Sequence, residues 1–310
     1  MRLRHLVLAL VGAAVLLGGS HAFAQKAAPP AGWSATDCQS CHDKAAGPAF
    51  QKTKHASSDQ SCASCHTSVA EHMKGQMGGD KNAPTPSVKM LTARQINDTC
   101  LKCHEKGNQL SYDTSMHSRR NVACTSCHGI HEYNSVKAQL KTKMDADTCY
   151  TCHKSMRAKS LRTSHHPVRE GKMGCSSCHN PHEGNRPKMI NAESVNELCY
   201  KCHTEKRGPF LFEHAPVRED CASCHDPHGS NHDRLMVKKL PTLCYGCHLT
   251  GSGHFGLSDK FGTEKGVPVA PTGAPSGYPT ITGRWAEKSC KNCHINIHGS
   301  NSPQGAFFVR

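Results

Sequence analysis

The stretches Cys199-Tyr200-Lys201-Cys202-His203 and Cys221-Ala222-Ser223-Cys224-His225-Asp226-Pro227-His228 decide how this chain is read. Each is a CxxC pair followed at once by histidine, and the second carries another histidine three residues on. Working outward, the same pattern recurs until all 20 cysteines of the 310 residues are used. Towards the N-terminus stand Cys38/Cys41/His42, Cys62/Cys65/His66, Cys100/Cys103/His104, Cys124/Cys127/His128, Cys149/Cys152/His153 and Cys175/Cys178/His179. Towards the C-terminus stand Cys244/Cys247/His248 and Cys290/Cys293/His294, which makes ten motifs with no cysteine left over.

Two thiols at this spacing add across the two vinyl groups of haem, and the histidine that follows lies on the same turn, aimed at the iron as fifth ligand. Zinc sites also use CxxC pairs. With 24 histidines in 310 residues, however, only about one pair in thirteen would be followed by histidine by chance. A disulfide scaffold has no reason to place histidine after every pair. The reading is therefore ten covalently attached c-type haems.

Apolar residues make up 36% of the chain, the cysteines among them, and aromatic residues 5%, so polypeptide alone would give a thin core. Ten porphyrins supply what is missing, much as small domains rely on metals and staples. The fold expected is a multihaem cytochrome c, mostly irregular with short α-helices and negligible β-structure, its elongated chain of haems forming the core. Because ligation is coupled to folding, the apoprotein is expected to be largely unfolded.

Arg2 and Arg4, the apolar run Leu6 to Leu17 and Ala22-Phe23-Ala24 have the form of a signal peptide over 1–24, cleaved ahead of Gln25. The run is too short for an uncleaved spanning anchor, which needs ~20 residues. The formal charge of +14, two of it from Arg2 and Arg4, would by itself suggest a nucleic-acid partner. Each ferric haem with ionised propionates contributes about −1, so ten nearly neutralise the chain. The Lys and Arg side chains are better read as counter-ions for propionates, and no nucleic-acid role is expected.

The motifs alternate in kind. Odd-numbered motifs from the third onward follow helix-compatible segments and carry a bulky residue after the first cysteine (Leu101, Tyr150, Tyr200, Tyr245), whereas even ones carry Ala63, Thr125, Ser176, Ala222 or Lys291 there. A repeat of this kind divides residues 25–310, a single elongated domain, into five dihaem units at about 25–95, 96–144, 145–194, 195–240 and 241–310. Glycine and proline mark 75–86 and 251–283 as loops.

Histidines outside the motifs follow the repeat. His55, His117 and His214 each stand seven residues before an even motif, and His166 nine before. His131, His182 and His228 stand three residues after an even motif's histidine, His298 four and His72 six, while His254 follows the last odd motif. That is two per unit and ten in all, enough for bis-His ligation throughout: His42, His66, His104, His128, His153, His179, His203, His225, His248 and His294 proximal, the ten spare residues distal. His165 and His232 are surplus, although choosing His166 over His165 and His228 over His232 rests on spacing alone. Bis-His haems are six-coordinate and of low potential, and leave no position for a substrate. The methionines, Met73, Met116, Met144, Met156 and Met173 among them, follow no such repeat and read as gap-fillers beside porphyrin.

These motifs, with Glu213-His214-Ala215-Pro216-Val217 and the terminal Ile297-His298-Gly299-Ser300-Asn301, closely resemble the periplasmic decahaem cytochromes of the MtrA, MtoA, PioA and DmsE type. The resemblance covers essentially all of the mature chain and is most specific from Cys175 onward. It implies a periplasmic electron-transfer protein without its own substrate site, associated with the outer membrane and seated inside a porin-like β-barrel. There it would pass electrons between periplasm and cell exterior, in extracellular metal or dimethyl sulfoxide respiration or in Fe(II) oxidation. The partners implied are that barrel, a periplasmic or inner-membrane multihaem cytochrome or quinol-linked donor or acceptor, and an outer-surface multihaem cytochrome. A soluble periplasmic electron carrier or store, and a multihaem oxidoreductase with one open haem, are the alternative readings.

Overall fold

The computed structural model describes residues 35–57, 62–84, 88–248, 263–264, 267–268, 289–303 and 308. The expected leader over 1–24 lies outside them, as does nearly all of the expected loop 251–283. Among the described residues the longest helices, Val69–Met77 and Ala93–Leu101, have nine residues each. Strand structure amounts to an antiparallel pair, Thr263–Glu264 with Val267–Pro268, and isolated bridges. Helices this short are marginal on their own and need tertiary partners. The expected architecture, short helices in a mostly irregular chain with negligible strand, is the one observed.

Each attachment motif closes as a turn on itself. The histidine amide donates to the carbonyl of the first cysteine four residues back, at 2.9 Å for His42 and His153, 3.0 Å for His104 and His128 and 2.8 Å for His294. Odd motifs start inside α-helices, as in Ala93–Leu101, Asp145–Tyr150, Val195–Tyr200 and Thr242–His248. Even motifs start on 3-10 turns at Cys62–Ser64, Cys175–Ser177, Cys221–Ser223 and Cys290–Asn292, or on one α-turn at Cys124–Cys127. Side-chain caps start several of the helices. Thr92 and Gln95 form a capping box ahead of Ala93–Leu101, and Ser194 accepts the Glu197 amide at 3.1 Å.

The chain divides into two compact units. One comprises the described residues up to 46 together with 51–57 and 62–84. Its helix Val69–Met77 runs through Gly75 and extends three residues into the expected loop 75–86. The methyl of Ala83 packs where a Gly75 side chain would stand, which explains a glycine inside this helix.

The other unit comprises 47–50 and the described residues from 88 on. Here a local plan is repeated three times. After the fourth, sixth and eighth motifs the chain reverses through two successive left-handed residues, neither of them glycine: Ala138 and Gln139, Lys188 and Met189, Arg234 and Leu235. The reversal brings Leu140, Ile190 and Met236 into antiparallel bridges with His128, His179 and His225. Further bridges, Ser164 with Ser230 and Phe212 with Ser300, tie one repeat to the next. At Gly229 (φ 136) and Gly299 (φ 138) any side chain would strike the Lys159 carbonyl and the Phe210 ring.

Buried apolar side chains are few among the described residues: Val69, Ala83, Tyr112, Ala146, Ile190 and Ala192. Buried Ser115, Thr148, Asn97 and Asn196 are at least as prominent. Such a chain is organised by hydrogen-bonded turns around its motifs, with little oil-like core of its own.

Candidate metal centres

The motif histidines meet partners from elsewhere in the chain. Ring centroids are 6.2 Å apart for His42 and His72, 6.0 Å for His128 and His182, and 6.2 Å for His153 and His117. The separations are 6.0 Å for His179 and His228, 6.3 Å for His203 and His166, 6.1 Å for His225 and His298, and 6.1 Å for His248 and His214. A metal–imidazole bond is about 2.0 Å, and the ring centre lies about 1.1 Å behind the nitrogen, so one metal held between two imidazoles sets their centroids about 6.2 Å apart. Seven pairs at 6.0 to 6.3 Å therefore fit haem iron between them, in tilted and stacked arrangements alike. Among the described residues the histidines converge in pairs, and no group of three or more His, Cys, Asp or Glu gathers as at a zinc site.

Hydrogen bonds orient the rings. Nδ1 of His72, His117, His128, His166, His179 and His225 lies 2.6 to 2.9 Å from the backbone carbonyls of Pro84, Pro181, Ala138, Pro227, Lys188 and Arg234. A carbonyl can only accept, so Nδ1 carries the proton and donates, leaving the Nε2 lone pair for a metal. Burial pushes His182 and His298 down to about 4, with neighbouring His128 and His117 adding to the effect on His182. Both imidazoles are thus neutral, the form that binds metal.

His165, the surplus neighbour of His166, is held differently. Its Nδ1 is 2.6 Å from the Arg162 carbonyl and its Nε2 3.1 Å from Glu170, so both nitrogens are engaged by protein. His232 initiates the turn Asp233–Leu235 while its neighbour His228 faces His179.

The other expected ligands are placed as follows. His55 stands on the helix Lys54–Ser57, and the His131 ring lies 5.4 Å from that of Phe50. His66, His104 and His294 each sit at the end of their motif turn. His254 lies outside the described residues.

The twenty thiols form no disulfide, which leaves both sulfurs of every pair for thioether formation. First cysteines approach in twos, within hydrogen-bonding reach: Cys38 with Cys62, Cys100 with Cys124, Cys149 with Cys175, Cys199 with Cys221 and Cys244 with Cys290. Second cysteines of even motifs lie near the following odd motif: Cys127 near Cys152, Cys178 near Cys199 and Cys202, Cys224 near Cys247. From Cys100 to Cys290 the attachment points therefore form an unbroken series.

The remaining second cysteines, Cys41, Cys65, Cys103 and Cys293, are exposed, as are Cys152, Cys202 and Cys247. Every first cysteine, by contrast, is half-buried. The amides of Cys41, Cys65, Cys103 and Cys293 donate to the carbonyls of Cys38, Cys62, Cys100 and Cys290 at 3.2 to 3.3 Å, so the second cysteine sits three residues on along a tight turn.

Two sets of residues escape sequence reasoning. One is the left-handed trio Ala138, Lys188 and Arg234, whose carbonyls receive the proximal imidazoles; no glycine marks these turns. The other brackets the fourth, sixth and eighth motifs onto the helix of the odd motif before each. Asn97 accepts the Cys124 amide at 2.8 Å and donates to the Val122 carbonyl at 3.1 Å. Asn196 accepts the Cys221 amide at 2.8 Å and donates to Val217 and Arg218, both at 2.9 Å. In the intervening unit Asp145 does this work, accepting the Ser176 amide at 2.9 Å. Asparagine three residues before Cys100 and Cys199 is the one signal that could have been noticed.

Repeated thioether motifs with paired imidazoles define a multihaem c-type cytochrome. The family of the doubled CXXCH motif matches residues 117–158, 165–208 and 214–252, and the family of cytochrome c554 and c-prime matches 37–129. The chain is 36% identical over 285 residues to the multihaem cytochrome MtrA of Shewanella baltica (strain OS185), an alignment covering 89% of this chain and 81% of that protein. The chain belongs to the MtrA-like multihaem cytochromes, has the multihaem cytochrome c fold, carries multiple c-type haems, and is an electron-transfer protein.

Proposed function

We propose that the chain is a ten-haem conduit, bis-His at every iron, that works between periplasm and cell exterior inside an outer-membrane β-barrel. The observation that carries the saturated ligation is the set of seven imidazole pairs at 6.0 to 6.3 Å. Bound haem supplies reversible one-electron exchange between Fe(III) and Fe(II). The chain's own residues do the rest. The ten cysteine pairs would anchor the macrocycles, and His42, His128, His153, His179, His203, His225 and His248 would each share an iron with His72, His182, His117, His228, His166, His298 and His214 respectively. His55, His131 and His254 complete the distal set for His66, His104 and His294. With two histidines for each iron, none would be left open to a substrate, which favours transfer over catalysis.

The paired first cysteines support five dihaem units, and the unbroken series from Cys100 to Cys290 supports stepwise passage. No helix among the described residues is long and apolar enough to cross a membrane. Irregular backbone is tolerated at membrane depth only when sheathed in protein, so the barrel, implied by the resemblance, supplies the crossing. An advance of ~5 Å per haem would carry ten across a bilayer of ~40–45 Å.

The test is reconstitution. Vesicles enclosing a reduced viologen dye should be oxidised by an external acceptor when the chain and a co-purifying barrel are both present, and not with either alone. Recovery of the chain solely as a soluble periplasmic monomer, with no transmembrane transfer, would favour a periplasmic carrier instead.

A further inference from the structure

Two carboxylates reach equivalent backbone positions by different routes. Asp145 begins the helix that carries Cys149, and its Oδ2 accepts the amide of Ser176, the residue after the first cysteine of the sixth motif, at 2.9 Å. Asp220 immediately precedes Cys221, and its Oδ1 accepts the amide of Ala222, the residue after the first cysteine of the eighth motif, at 2.8 Å. One acceptor comes from a helix 31 residues upstream, the other from the adjacent residue. The site is shaped for the distant carboxylate: Asp145 packs directly on Gly174, and a side chain at that position would collide with it.

The fourth motif has no such group. There the bracket is the uncharged Asn97, and no carboxylate accepts the Thr125 amide among the described residues. Neither Asp145 nor Asp220 takes part in an ion pair among the described residues, unlike Asp226, which is bonded to Lys159 at 2.7 Å. Each lies within electrostatic reach of both first cysteines of its unit: Asp145 of Cys149 and Cys175, Asp220 of Cys199 and Cys221.

A fixed negative charge beside a redox centre favours its oxidised, more positive state, the more so where side chains exclude water. Net charge and burial are among the levers by which a protein sets a haem potential. We infer that Asp145 and Asp220 are potential-setting residues, holding the haems of the fifth to eighth motifs at lower reduction potential than neutral brackets would. The inference rests on the electron-transfer reading and adds to it a place where the energy profile along the row is set. A capping role alone would need only an acceptor oxygen, which asparagine supplies equally well.

The test uses that distinction on the purified ten-haem protein, without a barrel. Asp145→Asn and Asp220→Asn, singly and together, are followed by spectroelectrochemical titration of the Soret band. In the double variant about four tenths of the titrating amplitude, the share of four haems in ten, should move to higher potential. Haem content, the low-spin spectrum and the urea midpoint should match the parent protein. The reverse change, Asn97→Asp, should move amplitude to lower potential. Curves superimposable on the parent would overturn the inference, as would a shift accompanied by haem loss or high-spin iron, because the residues would then be structural caps. Failure of the vesicle experiment would leave this result untouched, and a mistaken ligand set would show as high-spin iron in the parent protein itself.

Discussion

A histidine becomes an axial ligand by having one nitrogen occupied and the other free. His166 and His165 are adjacent in sequence and differ in this respect alone. His166 bonds the Pro227 carbonyl through Nδ1 at 2.9 Å and faces His203, while His165 uses Nδ1 on Arg162 and Nε2 on Glu170. Spacing could rank the two only weakly, because neighbouring positions differ by one residue, whereas ring orientation is a tertiary property. The difference is open to substitution. Under the proposed ligation, His298→Ala should turn about one ferric haem in ten high-spin and able to bind cyanide, because His225 would then lack the ring that faces it. His165→Ala should leave the low-spin electron paramagnetic resonance spectrum as it was. A fully low-spin His298→Ala protein would remove His298 from the ligand set.

At the scale of elements, the odd and even motifs announced their difference through the residue after the first cysteine, and the structure gives it a form: odd motifs on helices, even motifs mostly on 3-10 turns. The turns that receive the even proximal imidazoles were not legible. Lys188 and Met189, like Arg234 and Leu235, adopt left-handed conformations that sequence normally advertises with glycine. Neighbouring bonds over-determine them: Asn180 donates to the Met189 carbonyl and Asn191 to the Cys178 carbonyl, both at 2.8 Å, closing the reversal from both sides. Glycine is indispensable instead where two repeats touch. Gly229, at φ 136, lies against the Lys159 carbonyl one residue from His228. Gly229→Ala combines a disfavoured conformation with a backbone collision, and should cost about 2 kcal/mol or more. In a urea titration the midpoint should fall, with high-spin iron appearing before global unfolding; an unchanged midpoint would mean that this junction yields easily.

Over the whole molecule, few apolar side chains are buried among the described residues, and Ser115, Asn97 and Asn196 are buried with them. Protein material of this composition lacks the apolar burial that offsets chain entropy, so the chain made without haem attachment should show neither a cooperative melt nor ordered far-UV circular dichroism. A cooperative thermal transition in that apoprotein would show that the polypeptide carries its own core. The sequence by itself determined what is local. Attachment cysteines and proximal histidine lie within five residues, on a turn closed by the histidine amide, so ten motifs could be counted and their chemistry named before any fold was known. The number of spare histidines followed from the same repeat. Which histidine faces which was decided by tertiary structure alone, because in six of the seven pairs the partners come from neighbouring repeats. His117, ahead of Cys124, faces His153 of the next unit, while His182 of that unit faces back to His128. His166 with His203 and His228 with His179 repeat the exchange, as do His214 with His248 and His298 with His225. A covalent turn fixes a near neighbour through bond geometry, but a partner dozens of residues away is delivered by the path of the chain, and that path is set by bridges, left-handed reversals and brackets that no single motif contains.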